Sequence, residues 1–222
     1  MYSLKETTPL KPSLRDVFDR HGLASTRSVD AQQPVYATGA IDDAMYVVEA
    51  GQVKISMASA EGKDCLLAIY GPGELFGESC FNGSEKRTET ATAMGHSVVR
   101  RAPRREFLAE VQRAGGTELL LQHLANRLSE RQMSVFDLMT NDSEVRLAKM
   151  LLAFAEKLGT ADGPLLRLEQ RISHEELSQI VGTTRPRITA FMQNFRKLGL
   201  IETSGRTIVV HRQRMIDFLA PD

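Results

Sequence analysis

The chain has 222 residues, 42% of them apolar and 25% charged, which is enough to bury one large core or two smaller ones and is not the composition of a disordered segment. Its 28 basic and 28 acidic residues cancel, so no bulk field draws it to nucleic acid, and its two cysteines, Cys65 and Cys80, form no disulfide framework. No stretch approaches the ~20 consecutive apolar residues of a membrane-spanning helix, and Met1 to Leu14 lacks the features of a secretory signal, which predicts a reduced, cytoplasmic setting without a membrane partner.

In chain order, Val17-Phe18 and Leu23 predict a short N-terminal helix packed on the strands downstream of it. From Val35 to about Ala102 the sequence is a run of short strands: Val35-Tyr36, Met45 to Glu49, Val53 to Met57, Cys65 to Tyr70, Thr88 to Ala93 and Ser97 to Arg101. Gly39, Gly51, Gly62, Gly71-Pro72-Gly73 and Gly83 punctuate them, the pattern of a sandwich or small barrel. After Arg105 the period changes, and Gly115-Gly116 separate a helix over about 105 to 113 from a long one over about 117 to 139. On the long helix Leu121, Leu128 and Val135 recur every seven residues, as do Leu124, Arg131 and Leu138, an a/d seam that fits self-association better than packing within one domain. Asn141-Asp142-Ser143 interrupts the seam and caps a further helix from Glu144 to Leu158, with Val145, Ala148, Leu151, Leu152 and Ala155 on its apolar face and Gly159 at its end.

Ser173 to Leu200 reads SHEELSQIVGTTRPRITAFMQNFRKLGL. Ser173 and Glu176 make a capping box, Leu177, Ile180 and Val181 an apolar stripe, and Gly182 a stop. Thr183 and Thr184 supply the next cap, Pro186 sits in a first helical turn, and Ile188, Phe191, Met192, Phe195 and Leu198 face inward. That leaves Thr184, Arg185, Arg187 and Thr189 outward at the start of the second helix, where a recognition helix meets base edges and phosphates. A strand from Ile201, a Ser204-Gly205 turn and a strand over Thr207 to Val210 predict a wing, and Arg212 to Leu219 a terminal turn of helix. From Arg171 to Arg214 eight basic residues face three acidic ones, a local excess that the net charge conceals.

With these residues in view, the chain resembles the cAMP receptor protein/FNR (Crp/Fnr) family of bacterial transcription regulators. GAIDDAMYVVEAGQVKIS (Gly39 to Ser56), GPGELFGES (Gly71 to Ser79) and KRTETATA (Lys86 to Ala93) are similar to the family's sensor barrel and its phosphate-binding cassette. The resemblance implies an α+β chain: a cyclic-nucleotide-binding-type β-barrel (jelly roll) over 1–116, a dimerisation helix over 117–140 and a winged helix-turn-helix over 141–222. It implies a homodimer on a palindromic operator, with RNA polymerase as a further partner and no catalytic residues. The seam is then Leu121, Leu124, Leu128, Val135 and Leu138. Phe76, Gly77, Glu78, Ser79, Arg87, Thr88, Arg131 and Gln132 surround the effector, Glu78 on a ribose hydroxyl and Arg87 and Thr88 on the phosphate. Arg185 reads guanine, Arg187 and Thr189 take base or phosphate contacts, and Arg171, Ser173, His174, Thr183 and Thr184 complete the interface.

The departures bear on ligand and operator. Ser79 replaces an apolar residue, Glu89 puts a negative charge where the phosphate would lie, and Arg131 and Gln132 replace a Thr-Ser pair that contacts adenine in the family. This leaves open cAMP, another nucleotide or more anionic effector, or an effectorless barrel in which Glu78 and Arg87 pair internally. Pro186 and Ala190 stand where the family has other base contacts, so the half-site is expected to differ. No cysteine cluster is present for an iron-sulfur cluster, and the five histidines have no spacing for haem or another metal, which makes them surface or capping residues. Two rival classes lack their signatures: the HEEL at His174 is not a zinc motif and no Gly-x-Ser-x-Gly elbow occurs, and a regulatory module of an enzyme or channel would not continue into a helix-turn-helix.

Overall fold

Ser13 opens the part of the chain that the computed structural model describes, residues 13–19, 22–59, 64–169, 172–205 and 207–220. Arg171, expected at the DNA interface, lies outside them. The contacts divide the chain into two compact units, one from residues 1–54 and 69–128, the other from 55–68 and 129–222.

The first unit begins with α1 (Leu14–Phe18), closed at its start by a reciprocal capping box between Ser13 and Asp16. Among the described residues eight strands come next in the chain, most of the fourth and fifth falling in the second unit: β1 (Ser25–Val29), β2 (Pro34–Tyr36), β3 (Ala44–Ala50), β4 (Val53–Ala58), β5 (Asp64–Tyr70), β6 (Leu75–Phe76), β7 (Thr90–Ala93) and β8 (Ser97–Pro103). They form two four-stranded sheets in the orders β1-β8-β3-β6 and β2-β7-β4-β5. Antiparallel pairing with alternating burial along β7 and β8 is what a sheet with one solvated face requires. Helix α2 (Arg104–Arg113) then buries Phe107 and Val111 against Phe18, Met45, Leu75 and Ala102. Phe18 and Phe107 lie with ring centroids 5.4 Å apart, which accounts for the apolar N-terminal signal.

Two strands lie outside the sequence expectation and one boundary differs from it. β1 reads Ser-Thr-Arg-Ser-Val with only Val29 buried, so this outer strand of its sheet carries no apolar alternation to reveal it. β6 is two residues long. β7 starts at Thr90 rather than Thr88, because residues 87–89 leave the ladder, with Arg87 and Glu89 buried and Thr88 exposed between them.

Helix α3 (Thr117–Thr140) is one uninterrupted 24-residue helix. In the second unit Asp142 caps α4 (Ser143–Leu158) by accepting the backbone N–H groups of Glu144 and Val145, both at 2.9 Å. Its buried face is Leu147, Ala148, Leu151 and Ala155; Val145 and Leu152, expected there, are half-buried, since the face turns toward Leu147. Then come β9 (Thr160–Asp162), β10 (Leu165–Leu168), α5 (His174–Val181), α6 (Arg185–Lys197), β11 (Ile201–Ser204), β12 (Thr207–His211) and α7 (Arg212–Leu219). The sheet order β11-β12-β10-β9 shows that the wing hairpin is half of a four-stranded sheet. The other half was signalled by Gly163-Pro164 between two short β-type runs and was not anticipated.

Candidate effector basket and nucleic-acid interface

In the first unit the cassette residues surround Arg87. Gly77 takes φ +93°, and a Cβ there would lie 3.0 Å from the Ala44 carbonyl oxygen and 3.3 Å from Arg87 Nη2, so only glycine lets the backbone approach this closely. The Arg87 side chain is 1% exposed and stacks 4.1 Å from the Tyr36 ring centroid. Its Nη2 donates to Asp42 Oδ2 at 2.7 Å and to the Ala44 carbonyl, Nε to Asp42 Oδ2 at 3.0 Å, and Nη1 to the Gly77 carbonyl at 2.7 Å and to Ser79 Oγ at 2.9 Å. Burial pushes the Asp42 carboxyl up, but hydrogen bonds from Arg87 and Arg101 outweigh it and hold Asp42 below the usual carboxylate range.

Glu89 is the second carboxylate of the basket, 9% exposed. Oε1 accepts from Tyr36 Oη at 3.0 Å and from Ser79 Oγ at 2.5 Å, and Oε2 accepts from Thr88 Oγ1 at 2.7 Å. Burial, and then the Glu89 charge, drive the Tyr36 hydroxyl well above the ordinary phenol range, so it remains a donor. Phe76 is fully buried and stacks with Tyr46 and Tyr70 at 5.1 and 6.0 Å between centroids.

Glu78, expected on a ribose, instead accepts from His123 Nε2 at 2.8 Å and Arg127 Nε at 3.1 Å, both on α3. Burial opposes its ionisation, yet these donors keep the carboxyl below its ordinary range. An internal Glu78–Arg87 pair does not form, because each residue has found another partner. His123 is accordingly an interior ligand of a carboxylate, not the surface or capping residue that the sequence suggested. Asp42, His123 and Arg127 were missed. Asp42 sits at the entry to a strand and the other two on a helix 45 or more positions from Glu78, so local spacing carried no signal.

Arg131, at an adenine-contacting position by resemblance, donates Nη1 to the Leu67 carbonyl at 2.6 Å in the second unit, and Gln132 is exposed. Along α3, Leu121, Leu128 and Val135 are exposed as a seam requires, joined by Phe136 and Met139. Leu124 is not: it is half-buried against the first unit's core. Leu138 is half-exposed and lies beside Gly182. The uncovered apolar side chains are therefore the a row with Leu138 of the d row, and Met133, Phe136 and Met139 beside them.

In the second unit, Ser173 and Glu176 close the capping box of α5, and Gly182 ends that helix at φ +68°. Arg146 on α4 fixes the turn by donating Nε to the Val181 carbonyl at 2.9 Å. Thr184 is at the N-cap of α6 but makes no side-chain cap bond. Ile188, Met192 and Phe195 are buried, Phe191 is half-buried, and Leu198, expected inside, is exposed because the helix ends at Lys197. Arg185 and Arg187 are exposed. Among the described residues neither pairs with a carboxylate, and Arg187 lies 5.6 Å from the Phe191 ring centroid. Thr189 is half-buried, its Oγ1 3.0 Å from His174 Nδ1. Thr183 is half-buried at the turn and donates its backbone N–H to the Ser178 carbonyl. A groove of about 430 Å³ runs between Ser173, His174, Arg185, Arg196, Thr203 and Thr207, joining the helices to the wing.

The first turn of α6 holds no acidic residue, whereas α3, α4 and α5 begin with Glu118, Glu144, and Glu175 and Glu176. Placing two arginines at the positive end of a helix dipole is locally unfavourable, and an anionic partner reverses the sign. Among the described residues no helix is long and apolar enough to cross a membrane, and no group of three or more His, Cys, Asp or Glu could hold a metal ion.

Comparison with known proteins agrees in both halves. Residues 26–114 match the cyclic nucleotide-binding domain family and residues 145–218 the Crp-like helix-turn-helix domain family. A CRP-like cAMP-activated global transcriptional regulator of Mycobacterium tuberculosis is 33% identical over 79% of this chain and 79% of its own length. The cyclic AMP receptor protein of Thermus thermophilus is 27% identical over 85% of this chain and 84% of its own. Among solved structures, FixK2 from Bradyrhizobium japonicum superposes with a TM-score of 0.76 at 20% identity, over 90% of this chain and 99% of that one, a likeness of fold. A sensor domain of the nucleotide-binding type, a helix-turn-helix with a bare basic entrance and a 33% identical regulator together place the chain in the Crp/Fnr family of DNA-binding transcription regulators, not among enzymes.

Proposed function

We propose that the chain works as a homodimer on a palindromic operator in the cytoplasm, with RNA polymerase as its second macromolecular partner. Residues 1–116 act as sensor, 117–140 as dimer helix and 141–222 as reader. The observation that carries the reading is the entrance of α6: Arg185 and Arg187, exposed and without carboxylate partners among the described residues, at a helix start that lacks acidic residues. Arg185 takes a guanine, Arg187 and Thr184 take phosphates, and Ser173, His174 and Thr183 line the approach. Thr189 acts through His174, which it orients. The stripe Leu121, Leu128, Val135, Phe136 and Met139 covers its counterpart in a second copy, which removes five large apolar side chains from water.

The effector is a cyclic nucleotide, and cAMP is the first to test, since the Mycobacterium and Thermus relatives carry it in their names. Arg87, Ser79, Thr88 and the Cβ-free backbone at Gly77 supply the donors its phosphate needs. By binding one arrangement of the dimer better than another it sets whether the two α6 helices meet successive major grooves, about 34 Å apart.

The test is selection of operators from a palindromic DNA library, followed by fluorescence anisotropy with and without cAMP over a range of salt. Affinity should fall steeply with salt. Arg185→Ala should cost about 1–3 kcal/mol and relax one position of the site, while Arg187→Ala weakens all sequences alike and flattens the salt slope. Binding that ignores salt, or both variants behaving as wild type, would overturn the assignment.

A further inference from the structure

The basket of the first unit already contains an anion of its own. Three hydroxyls, from Tyr36, Ser79 and Thr88, converge on the two oxygens of Glu89 at 3.0, 2.5 and 2.7 Å. Ser79 Oγ is in turn held by Arg87 Nη1 at 2.9 Å, so the guanidinium stands one hydrogen bond behind the carboxylate. Hydroxyls backed by a buried arginine are the donor set for a phosphodiester, and charge-assisted bonds to them are short and strong. A carboxylate presents two acceptor oxygens of the same charge and spacing class as two phosphate oxygens. A nearly buried carboxylate with three hydroxyls turned toward it occupies a finished anion site.

We propose that Glu89 is a resident stand-in for the effector's phosphate: its carboxylate fills the phosphate subsite, and a cyclic nucleotide binds only by displacing it from Tyr36, Ser79 and Thr88. Glu89 is thus a specificity-determining residue that sets how much effector is needed, by competition inside the same molecule. An intramolecular competitor lowers apparent affinity by the fraction of time it holds the site. The partition of Arg87 supports this arrangement. Its Nε and Nη2 are directed to Asp42, and Nη1 alone faces the hydroxyl cluster, so Asp42 keeps the guanidinium in place whether Glu89 or a phosphate occupies the subsite.

This inference rests on the cyclic-nucleotide reading of the sensor, and the experiment separates the two. The full-length protein, Glu89→Gln and Glu89→Ala are titrated with cAMP and with inorganic phosphate by calorimetry. Cooperative thermal melting certifies that each variant is folded. Gln preserves the shape of the side chain and removes its charge, which guards against loss of fold, whereas Ala also vacates the space. The expected result is cAMP affinity at least tenfold tighter in Glu89→Ala than in wild type, Glu89→Gln between them, and weak phosphate binding gained by Glu89→Ala alone. A silent wild type beside a cAMP-binding Glu89→Ala upholds the stand-in and removes cAMP as the natural effector. Equal cAMP affinity in all three upholds the effector and overturns the stand-in. Folded variants that bind neither cAMP nor phosphate also overturn it.

Discussion

Arginine does opposite work in the two halves of this chain. In the sensor unit Arg87 is 1% exposed and every one of its nitrogens reaches a protein acceptor, two of them on the Asp42 carboxylate. In the reading unit Arg185 and Arg187 stand in solvent at the positive end of α6, with no acidic residue in that turn. Burying a guanidinium is tolerated only when its charge and donors are met, so the first arrangement belongs to the folded interior. The second sacrifices local helix electrostatics and, apart from Arg187 beside the Phe191 ring, has no ionic partner among the described residues, which is the mark of a surface shaped for something outside it. The same residue type is structural where it is answered and functional where it is not.

The strongest way to break that contrast is to remove one arginine from each side. Arg87→Ala takes from the half-buried Asp42 one of its two arginine partners, leaving Arg101, and breaking a buried pair typically costs up to about 3–5 kcal/mol. Chemical denaturation should show that loss, with a matching fall in Tm. Arg185→Ala, by the same measurement, should stay within about 0.5 kcal/mol of wild type, as exposed substitutions do. A small effect at Arg87 or a large one at Arg185 would erase the distinction.

A gentler perturbation of the same pair uses pH. Asp42 and Glu78 both titrate below their ordinary values in the folded chain. A carboxyl whose folded pKa is depressed binds fewer protons in the native state than in the unfolded one. Its contribution is complete above the unfolded value, about 3.9 for Asp, and is lost as pH falls through the folded value. Melting temperature should therefore drop progressively below about pH 5. Asp42→Asn should be less stable at pH 7 and lose less on acidification, because Glu78 alone then carries the linkage. An unchanged acid slope in Asp42→Asn would mean that the Arg87–Asp42 bond adds nothing to the folded state.

How much of this was legible in the sequence depends on how local each signal is. The two helices and the turn were readable because their determinants lie within a few positions of one another, Ser173 with Glu176, Gly182 at the turn and Pro186 in the first turn of α6, whereas Leu198, expected inside, is exposed. Short apolar runs between glycines located β3, β4, β5 and β8, and no such run marks β1, in which only Val29 is buried. The basket was legible only as a set of residue types. Gly77, Ser79, Arg87 and Thr88 do gather, but their partners Asp42 and Tyr36 are brought by long-range pairing, as are His123 and Arg127 for Glu78. Glu89 was visible as a misplaced charge, and the three hydroxyls that receive it were not. On α3 the heptad count located the exposed row through Leu121, Leu128 and Val135. It could not foresee that Leu124 turns into the first unit's core, since a seven-residue repeat does not distinguish a partner helix from a neighbouring sheet.

The smallest of the effects tests whether the reading surface is as independent of stability as Arg185 suggests. Gly182 holds φ +68° between α5 and α6, and a Cβ there would approach Leu138 Cδ2 to 3.3 Å. The left-handed conformation costs a non-glycine residue about 1–2 kcal/mol, and the Leu138 side chain must shift by a few tenths of an ångström besides. Gly182→Ala should thus lose about that much stability in denaturation while keeping its helix content. The turn also sets the angle at which Arg185 and Arg187 leave the body of the unit, so operator affinity should fall in the same variant through altered placement with no charge removed. If the variant loses stability and binds DNA as tightly as wild type, the turn serves only the fold. Affinity that falls with the salt slope intact would show that α6 still meets the same phosphates from a displaced position, which ties the backbone geometry of one glycine to the work of two arginines.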